Sequence, residues 1–315
     1  HGLIVHVECR DLEDAVATVK IWIAETRPQF LLLTPICVFA GIAASLYDGI
    51  AFHGLYFALA LIGGLCAHIT VNVLNDYSDF KSGVDLKTIR TPFSGGSGIL
   101  PSAAMKPREV LILGLCSLAI VIGIGIYFIT VYGVDVLPIG IVGVICASLY
   151  TPTITRMPGT SEIAAGGGFA LITLGTYFTQ DGTYSSASAV VTMVTFFLVA
   201  NLLLINEIPD TEADRIGGRR HLPITFGTLA AARVYALIIS LAYATIVVGV
   251  VIKAIPSLAL LGLLTLPIGI KAVKGALKNH DDIENLVPSL GANILVVLVT
   301  PLLMSIGITI WTYVG

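Results

Sequence analysis

Long, uninterrupted apolar stretches constrain this chain more than any other feature of its sequence. There are nine of them, at about 21–46, 53–79, 108–131, 135–150, 161–178, 187–208, 229–251, 256–275 and 289–313. Most have about the 20 residues that an α-helix needs to cross a bilayer. Strands of a membrane barrel alternate apolar and polar residues, and these stretches do not. The sequence therefore predicts an all-α polytopic membrane protein with nine transmembrane helices.

The composition agrees with a membrane protein and excludes several other classes. Charged residues are 12% of the chain, about half the usual share in a soluble domain, whereas apolar types reach 56%. A water-soluble globule and a disordered chain are both excluded. The net charge of -3 offers no basic surface for nucleic acid. The cysteines are scattered without a C-x-x-C pair, so neither a disulfide framework nor a zinc site is expected.

The connections between the predicted helices alternate between short and long. The long ones, at 80–107, 151–160, 211–228 and 276–288, would share one membrane face with the N-terminus. That face carries 16 of the 17 lysines and arginines, and only Lys253 lies opposite. By the positive-inside rule this face is cytoplasmic. We therefore expect an integral protein of the plasma membrane with a cytoplasmic N-terminus.

Two polar clusters lie at the ends of the second and sixth predicted helices. They consist of Asn75, Asp76 and Asp79 in the first, and of Asn206, Asp210 and Asp214 in the second. Residues four apart share a helix face, so each cluster forms a stripe, provided that the sixth helix continues through Pro209. Both stripes would end on the cytoplasmic side, where they can face each other.

Carboxylates in these positions need a compensating charge. At a helix C-terminus they meet the negative end of the helix dipole, and burial among apolar residues is costly. A divalent cation resolves both problems. Carboxylate and amide oxygens suit Mg²⁺, which also tends to bind substrate phosphate. The alternative is that the acids are ordinary charges at solvated helix ends. That alternative accounts less well for two clusters of matching form.

The clusters also form an internal repeat. Asn75-x-x-x-Asp79 and Asn206-x-x-x-Asp210 lie 131 residues apart. The repeat predicts two tandem four-helix units, at about 20–150 and 160–275, with a ninth helix added around a central cavity. We expect a single domain over 1–315, in which the loops 80–107 and 211–228 form a cytoplasmic cap. Transporters also show internal repeats, so the repeat alone does not select a function.

A basic, glycine-containing loop follows each cluster. The candidate cations in these loops are Lys81, Lys87 and Arg90 in the first, and Arg215, Arg219 and Arg220 in the second. Acidic clusters beside cations and glycines predict a metal–diphosphate site. The alternative is a pair of lipid-facing loops that only obey the positive-inside rule. The roles of three nearby polar residues are ambiguous. Tyr150 could be an anchor at the membrane interface, His68 could be a packed core residue, and Arg27 could mark the start of a helix.

At these residues the sequence resembles the UbiA superfamily of intramembrane prenyltransferases. Its members have nine helices and two Asp-rich motifs at the cytoplasmic ends of helices 2 and 6. The motif N-D-x-x-D corresponds to 75–79 and D-x-x-x-D to 210–214. The ubiquinone-type pattern would place an Asp where this chain has Gly83, and an acid follows instead at Asp85. With this departure the motif is similar to that of the naphthoquinone branch, which makes menaquinone precursors and includes the animal vitamin K enzyme.

The resemblance implies Mg²⁺-dependent transfer of an isoprenyl group from a prenyl diphosphate to an aromatic, naphthoquinol-precursor-like acceptor through an allylic carbocation-like state. The implied catalytic residues are Asp76, Asp79, Asp210 and Asp214. The implied ligands of two Mg²⁺ ions are those four together with Asn75 and Asn206. The implied diphosphate contacts are Asn75, Lys87, Arg90, Tyr150 and Arg156. Further candidates are Asp85, Arg27, His68 and Arg215. The implied partners are the donor, an aromatic or lipid-like acceptor and the bilayer.

Three other functions stay open at this point. An archaeal-type enzyme of the same superfamily would prenylate a glyceryl phosphate. An ion-coupled transporter would also use repeats and membrane carboxylates, but near the middle of the membrane on interrupted helices. A CDP-alcohol phosphotransferase would need a D-G-x-x-A-R signature, and Asp48-Gly49 does not continue as one.

Overall fold

The computed structural model describes residues 17–86, 95–151 and 153–315, whose regular structure is helical. The first half of the chain forms helices α1 (17–25), α2 (Pro28–Leu31), α3 (Leu33–Tyr47), α4 (Gly54–Ser82), α5 (Pro107–Tyr132) and α6 (Leu137–Leu149). The second half forms α7 (Thr160–Asp181), α8 (Ser186–Ile216), α9 (Leu222–Phe226), α10 (Thr228–Val251), α11 (Leu266–Lys278) and α12 (Ile283–Val314). An all-α architecture was predicted, and the described residues confirm it.

The first predicted span, 21–46, is interrupted at Arg27. This residue has φ 55° and ψ 61°, in the left-handed region. The right-handed α conformation is disfavoured before a proline, because the proline ring crowds the preceding residue. Pro28 therefore separates α1 from α2, and α2 and α3 carry the apolar stretch onward. The break leaves Arg27 at a helix junction instead of inside a regular helix.

Among the described residues, seven segments are long and apolar enough to cross a membrane. They are Pro28–Tyr47, Gly54–Ser82, Pro107–Leu149, Ser186–Ile216, Thr228–Val251, Ser257–Lys278 and Ile283–Val314. The third contains both α5 and α6, which are separated by Gly133 at φ 68° and a 3₁₀ turn. α7 is not among the seven, and its sequence is rich in glycine and threonine.

The largest core lies between α3, α8, α10 and α12. Ala40, Leu198, Tyr235 and Val296 are among its buried side chains. Small residues let some helices approach closely, as is common in membrane bundles. A Cβ atom on Gly166 of α7 would lie 2.6 Å from the carbonyl oxygen of Phe196 in α8. This tight pairing holds α7 beside the helix that carries the second acidic motif.

Candidate active site at the ends of α4 and α8

Both acidic motifs lie in the last turns of their helices, as the sequence predicts. Asp79 is close to the end of α4 at Ser82, and Asp214 is close to the end of α8 at Ile216. α8 continues through Pro209 without interruption, so its predicted polar stripe lies on one helix. The acids therefore lie near the ends of continuous helices, whereas transporter sites are typically formed by interrupted helices.

One arginine joins the two motifs. Nη1 of Arg219 donates a hydrogen bond of 2.7 Å to Oδ1 of Asp214, and Nη2 forms an ion pair with Asp79. The chain reaches this position by reversing after α8, where Gly218 adopts φ 81° and the amide of Arg219 bonds back to the carbonyl of Asp214. Burial lowers the pKa of Arg219, but the two carboxylates outweigh it and raise the pKa above its usual value. Arg219 therefore stays charged between them.

A second arginine pairs with the remaining acid of the first motif. Arg27, at the junction before α2, forms an ion pair with Asp76, whose side chain is almost fully buried. Burial lowers the pKa of Arg27, and nearby acids, Asp79 foremost, oppose that effect. The main chain contributes as well, because the amide of Ser97 donates a 3.0 Å hydrogen bond to Oδ2 of Asp76. Asp76 is thus held from two directions.

The glycine-rich segment after residue 94 lies over this pair. The hydroxyl of Ser97 donates a 2.8 Å hydrogen bond to Oε2 of Glu25 in α1. Gly96 adopts φ 76°, and a Cβ atom there would lie 3.2 Å from Asp85 Oδ1 and 3.4 Å from Asp76 Oδ1. Only a glycine can adopt this positive φ and leave room for both carboxylates without strain. Asp85 is therefore part of the same buried cluster.

A third group of contacts fixes Asp214 from the side of α9. Nε2 of His221 lies 3.0 Å from Asp214 Oδ2. The next residue, Leu222, donates its amide to Oε1 of Glu162 at 3.1 Å, and Ser161 donates its hydroxyl to the other oxygen at 2.8 Å. The loop after α8 is thereby tied to the start of α7.

Two amide side chains complete the polar end. Asn75 donates a 2.9 Å hydrogen bond to the hydroxyl of Thr151. The Oδ1 atom of Asn206 is buried and has no hydrogen-bond partner among the described residues. A buried amide oxygen without a partner is costly, so this position suits a ligand that supplies a positive charge or a donor.

The polar groups close one end of a cavity of about 430 Å³. Among its polar lining are Asn75, Asp79, Asp85, Asn206, Asp210, Asp214, Arg27 and Arg219. Its remaining wall is mainly apolar and includes Leu33, Phe128, Ile139, Phe169, Ile172 and Val297. The arrangement combines a charged end with a mainly apolar chamber, which suits a ligand with an anionic head and an apolar tail.

The structure distributes the predicted cationic contacts unevenly. Lys87 and Arg90 lie outside the described residues. Arg156 is exposed and lines a separate, smaller cleft beside Arg219, not the main cavity. Arg215 is also exposed and is absent from the cavity lining. These four contacts stay predictions.

Tyr150 does line the cavity, beside the polar end. Burial, and next the charge of Glu207, hold the pKa of Tyr150 well above its usual value. Its phenol is therefore protonated at neutral pH and can donate a hydrogen bond to an anion.

The side-chain oxygen atoms at this site suit a magnesium ion, although three of the acids are paired with arginines. No group of three or more His, Cys, Asp or Glu side chains within the described parts of the chain is arranged to hold a metal. Asp76 contacts Arg27, and Asp79 and Asp214 contact Arg219. Carboxylate and amide oxygens are nevertheless the ligands that Mg²⁺ prefers, and the unpartnered oxygen of Asn206 belongs to that set.

Sequence reasoning did not single out several residues of this cluster. Arg219 was only one of three candidate arginines in its loop, and the turn at Gly217-Gly218 was the signal that the chain reverses. Glu25 and His221 carried no pattern, because their partners lie 72 residues away and across a loop. Ser97 belongs to the glycine-rich stretch of its loop, but its contact with Asp76, 21 residues away, was not predicted. Such contacts depend on tertiary packing.

Comparisons with known proteins agree with the motifs. The sequence profile of the UbiA prenyltransferase family matches residues 34–292. A 1,4-dihydroxy-2-naphthoate octaprenyltransferase from Bacillus subtilis (strain 168) is 30% identical over 261 residues, which are 81% of this chain and 81% of that protein.

Solved structures share the fold at low identity. The apo structure of a UbiA homolog from Aeropyrum pernix K1 has a TM-score of 0.69 and 17% identity, covering 90% of this chain and 98% of that chain. A UbiA homolog from Archaeoglobus fulgidus bound to DMAPP and Mg²⁺ has a TM-score of 0.58 and 15% identity, covering 91% of this chain and 98% of that chain. This chain belongs to the UbiA prenyltransferase family, and its class of activity is prenyl transfer.

Proposed function

We propose that this UbiA-family prenyltransferase moves an isoprenyl group from a prenyl diphosphate to an aromatic acceptor of the dihydroxynaphthoate type, with Mg²⁺ as cofactor. The observation that carries the proposal is the cavity itself. Its charged end joins both acidic motifs to two buried arginines, and the rest of its wall is mainly apolar. The name of the Bacillus subtilis relative supports the acceptor, and the ligands of the Archaeoglobus fulgidus homolog support the donor and the metal.

We assign the metal to the oxygen atoms of the two motifs. Asp76, Asp79, Asp210 and Asp214, with Asn75 and Asn206, would hold two Mg²⁺ ions at the diphosphate. When bound, Mg²⁺ stabilises the negative charge that develops on the departing diphosphate. Asp76, Asp79 and Asp214 contact arginines in this structure, and each carboxylate has a second oxygen that could bind a metal.

The two arginines at the charged end would bind the diphosphate. Arg27 and Arg219 already lie at the charged end of the cavity, and each guanidinium can bind phosphate oxygens with two parallel hydrogen bonds. Tyr150 would donate its phenolic hydrogen to the same group. Lys87 and Arg90 from the loop after α4, and Arg156 from the smaller cleft, are further proposed contacts.

The chain's residues would promote bond cleavage by charge stabilisation and exclusion of water. The bond between C1 of the prenyl group and the diphosphate oxygen breaks, and its electron pair leaves with the diphosphate. The allylic group then carries positive charge, which the apolar wall shields from capture by water. The nucleophilic carbon of the acceptor attacks C1 and forms the new bond. The ring then regains its aromaticity by releasing the group that this carbon carried, either a proton that passes to the departed diphosphate or, from a carboxylated carbon, carbon dioxide.

We also propose that the chain crosses the membrane nine times and that α5, α6 and α7 each form one of these crossings. The helices overlap the nine predicted apolar stretches, and the break at Gly133 divides a segment of 43 residues that exceeds the bilayer thickness as one helix. In this arrangement the acidic motifs and the N-terminus face the cytoplasm across the plasma membrane. The tandem four-helix units and the loop cap belong to the same proposal.

The first experiment is thermal unfolding of the purified protein with geranyl or geranylgeranyl diphosphate. A ligand that binds only the native state raises the melting temperature by mass action. We expect protection that needs Mg²⁺, diphosphate and tail together, with pyrophosphate and an aliphatic alcohol as controls. No protection at saturating ligand would contradict the donor site.

A transfer assay then tests the acceptor. It compares 1,4-dihydroxy-2-naphthoate, 4-hydroxybenzoate and glyceryl phosphate with the same donor. Product from the naphthoate alone supports the proposal. Product from glyceryl phosphate alone would favour the archaeal-type lipid reaction instead.

A further inference from the structure

One buried polar side chain on the cavity wall makes no hydrogen bond with the acidic motifs. His68 of α4 is 7% exposed and lines the cavity, where Phe169 packs against it and the charge of Arg27 also reaches it. It lies eight residues before Asp76, which corresponds to about 12 Å along a helix. Asp76 is thus two turns away along α4, and an isoprenoid tail offers His68 no hydrogen-bonding group.

The imidazole is held in one orientation by its neighbours. Nδ1 of His68 lies 3.0 Å from the hydroxyl of Thr34 in α3. Thr34 is itself fully buried, and a Cβ atom on Gly64 would lie 2.9 Å from its methyl group. Tight packing of α4 on α3 therefore fixes the hydroxyl that orients the ring.

The other ring nitrogen is available to a ligand. Within the described parts of the chain Nε2 of His68 makes no hydrogen bond, and it is not among the fully buried atoms that lack a partner. The edge of Phe169 packs against the ring with centroids 4.7 Å apart, nearly perpendicular. An aromatic wall beside one polar nitrogen suits a flat aromatic ring that carries a hydroxyl group.

We propose that His68 is the acceptor-recognition residue and that its Nε2 hydrogen-bonds a ring hydroxyl of the aromatic acceptor. Thr34 is the positioning residue that fixes the imidazole. This inference rests on the proposed prenyl transfer to an aromatic acceptor. It places the acceptor ring deeper in the cavity than the diphosphate, with C1 of the donor between them.

The test uses the full-length protein and measures KM separately for the two substrates. We expect His68→Phe to raise the KM for 1,4-dihydroxy-2-naphthoate about tenfold, which corresponds to one neutral hydrogen bond. The KM for the prenyl diphosphate and the Mg²⁺-dependent thermal protection by donor should stay at wild-type values. His68→Gln, which keeps a hydrogen-bonding group, should restore part of the lost affinity.

A second variant covers the case in which His68→Phe does not fold. Thr34→Val keeps the shape of the side chain and removes the hydroxyl, so we expect a smaller rise in acceptor KM. Thr70→Val is the matched control, because Thr70 is buried on α4, bonds only the carbonyl of Cys66 and is absent from the cavity lining. It should leave both KM values unchanged.

An acceptor analogue distinguishes a loss of acceptor recognition from general damage to the structure of the variant. The wild type should bind 2-naphthoate, which lacks the ring hydroxyls, less well than the dihydroxy compound, and His68→Phe should lose that preference. An unchanged preference in a folded His68→Phe, or equal changes in both KM values, would overturn the inference. Absence of donor protection in the wild type would instead contradict the proposed function.

Discussion

Asp79 and Asp214 belong to different helices, yet both contact the guanidinium of Arg219. A cation therefore already lies between the two acidic motifs in this structure. The buried arginine balances carboxylates that would otherwise repel each other at two helix ends. If the motifs hold Mg²⁺ as proposed, the ion and this arginine would neutralise the same carboxylates.

Replacing a motif carboxylate should abolish turnover while the protein stays folded. We expect Asp79→Asn and Asp210→Asn to lower the transfer rate on the order of 100-fold or more, because charge stabilisation of the leaving diphosphate is lost. The measurement is prenyl transfer with saturating Mg²⁺. Asp281→Asn makes the same change at an exposed loop acid and should have no effect. Near-normal activity in either motif variant would contradict the metal role.

Removing the shared arginine should destabilise the metal-free protein. Arg219→Gln leaves the carboxylates of Asp79 and Asp214 without their cation, at a cost of about 3–5 kcal/mol for breaking a buried ion pair. Added Mg²⁺ should raise the melting temperature more in this variant than in the wild type. Arg220→Gln, at an exposed neighbour, is the control. If Arg219→Gln without Mg²⁺ melts at the wild-type temperature, Arg219 does not stabilise the fold by neutralising these two carboxylates.

A methyl group on Gly96 should impair donor binding. Gly96→Ala introduces strain of roughly 1–2 kcal/mol at positive φ and crowds Asp76, Asp85 and Arg27. Gly49→Ala carries similar strain at φ 78° but meets no atom within 4 Å. Both variants should lose thermal stability, and only Gly96→Ala should raise the KM for prenyl diphosphate. Equal KM values for the two would mean that the segment does not approach the donor.

Glu25 should make stability depend on pH. Burial raises the pKa of Glu25 from 4.5, opposed by the hydrogen bond from Ser97 and the charge of Arg27. The folded protein thus keeps the proton to higher pH than the unfolded chain, and stability falls as pH rises through the raised pKa. Glu25→Gln cannot ionise, so its melting temperature should fall less between pH 4 and pH 8.

The comparison for this prediction is the exposed Glu284. Glu284→Gln should follow the wild-type pH profile. If the Glu25→Gln and wild-type profiles run parallel, Glu25 does not titrate differently on folding.

Adjacent glycines in α7 should respond in opposite ways to alanine. A Cβ on Gly166 would lie 2.6 Å from a backbone oxygen of α8, whereas Gly167 faces open space. Overpacking costs about 1–3 kcal/mol, so Gly166→Ala should lower the melting temperature. Gly167→Ala should leave it unchanged or raise it, since alanine favours a helix. Equal losses would refute the close approach of α7 and α8.

Much of the site was predictable because its chemistry is local in sequence. Asp76 and Asp79 lie one turn apart, as do Asp210 and Asp214, so helical periodicity alone places the acids of each motif on one helix face. The apolar stretches predicted the helices for an equally local reason, since a backbone in lipid must satisfy its own hydrogen bonds. Departures from that pattern include the break at Arg27, which follows from the proline beside it, and the 3₁₀ helix Ser257–Thr265 within the predicted stretch 256–275.

The sequence by itself thus determined a helical membrane protein with two acidic helix ends and a family-level activity. The tertiary structure decided which cations meet those acids. Arg215, Arg219 and Arg220 are chemically alike, and only the reversal at Gly218 turns Arg219 onto Asp79, 140 residues away. His68 and Thr34 likewise meet through the packing of α4 on α3. Side-chain partners across such separations depend on the packing of whole helices, which local sequence does not encode.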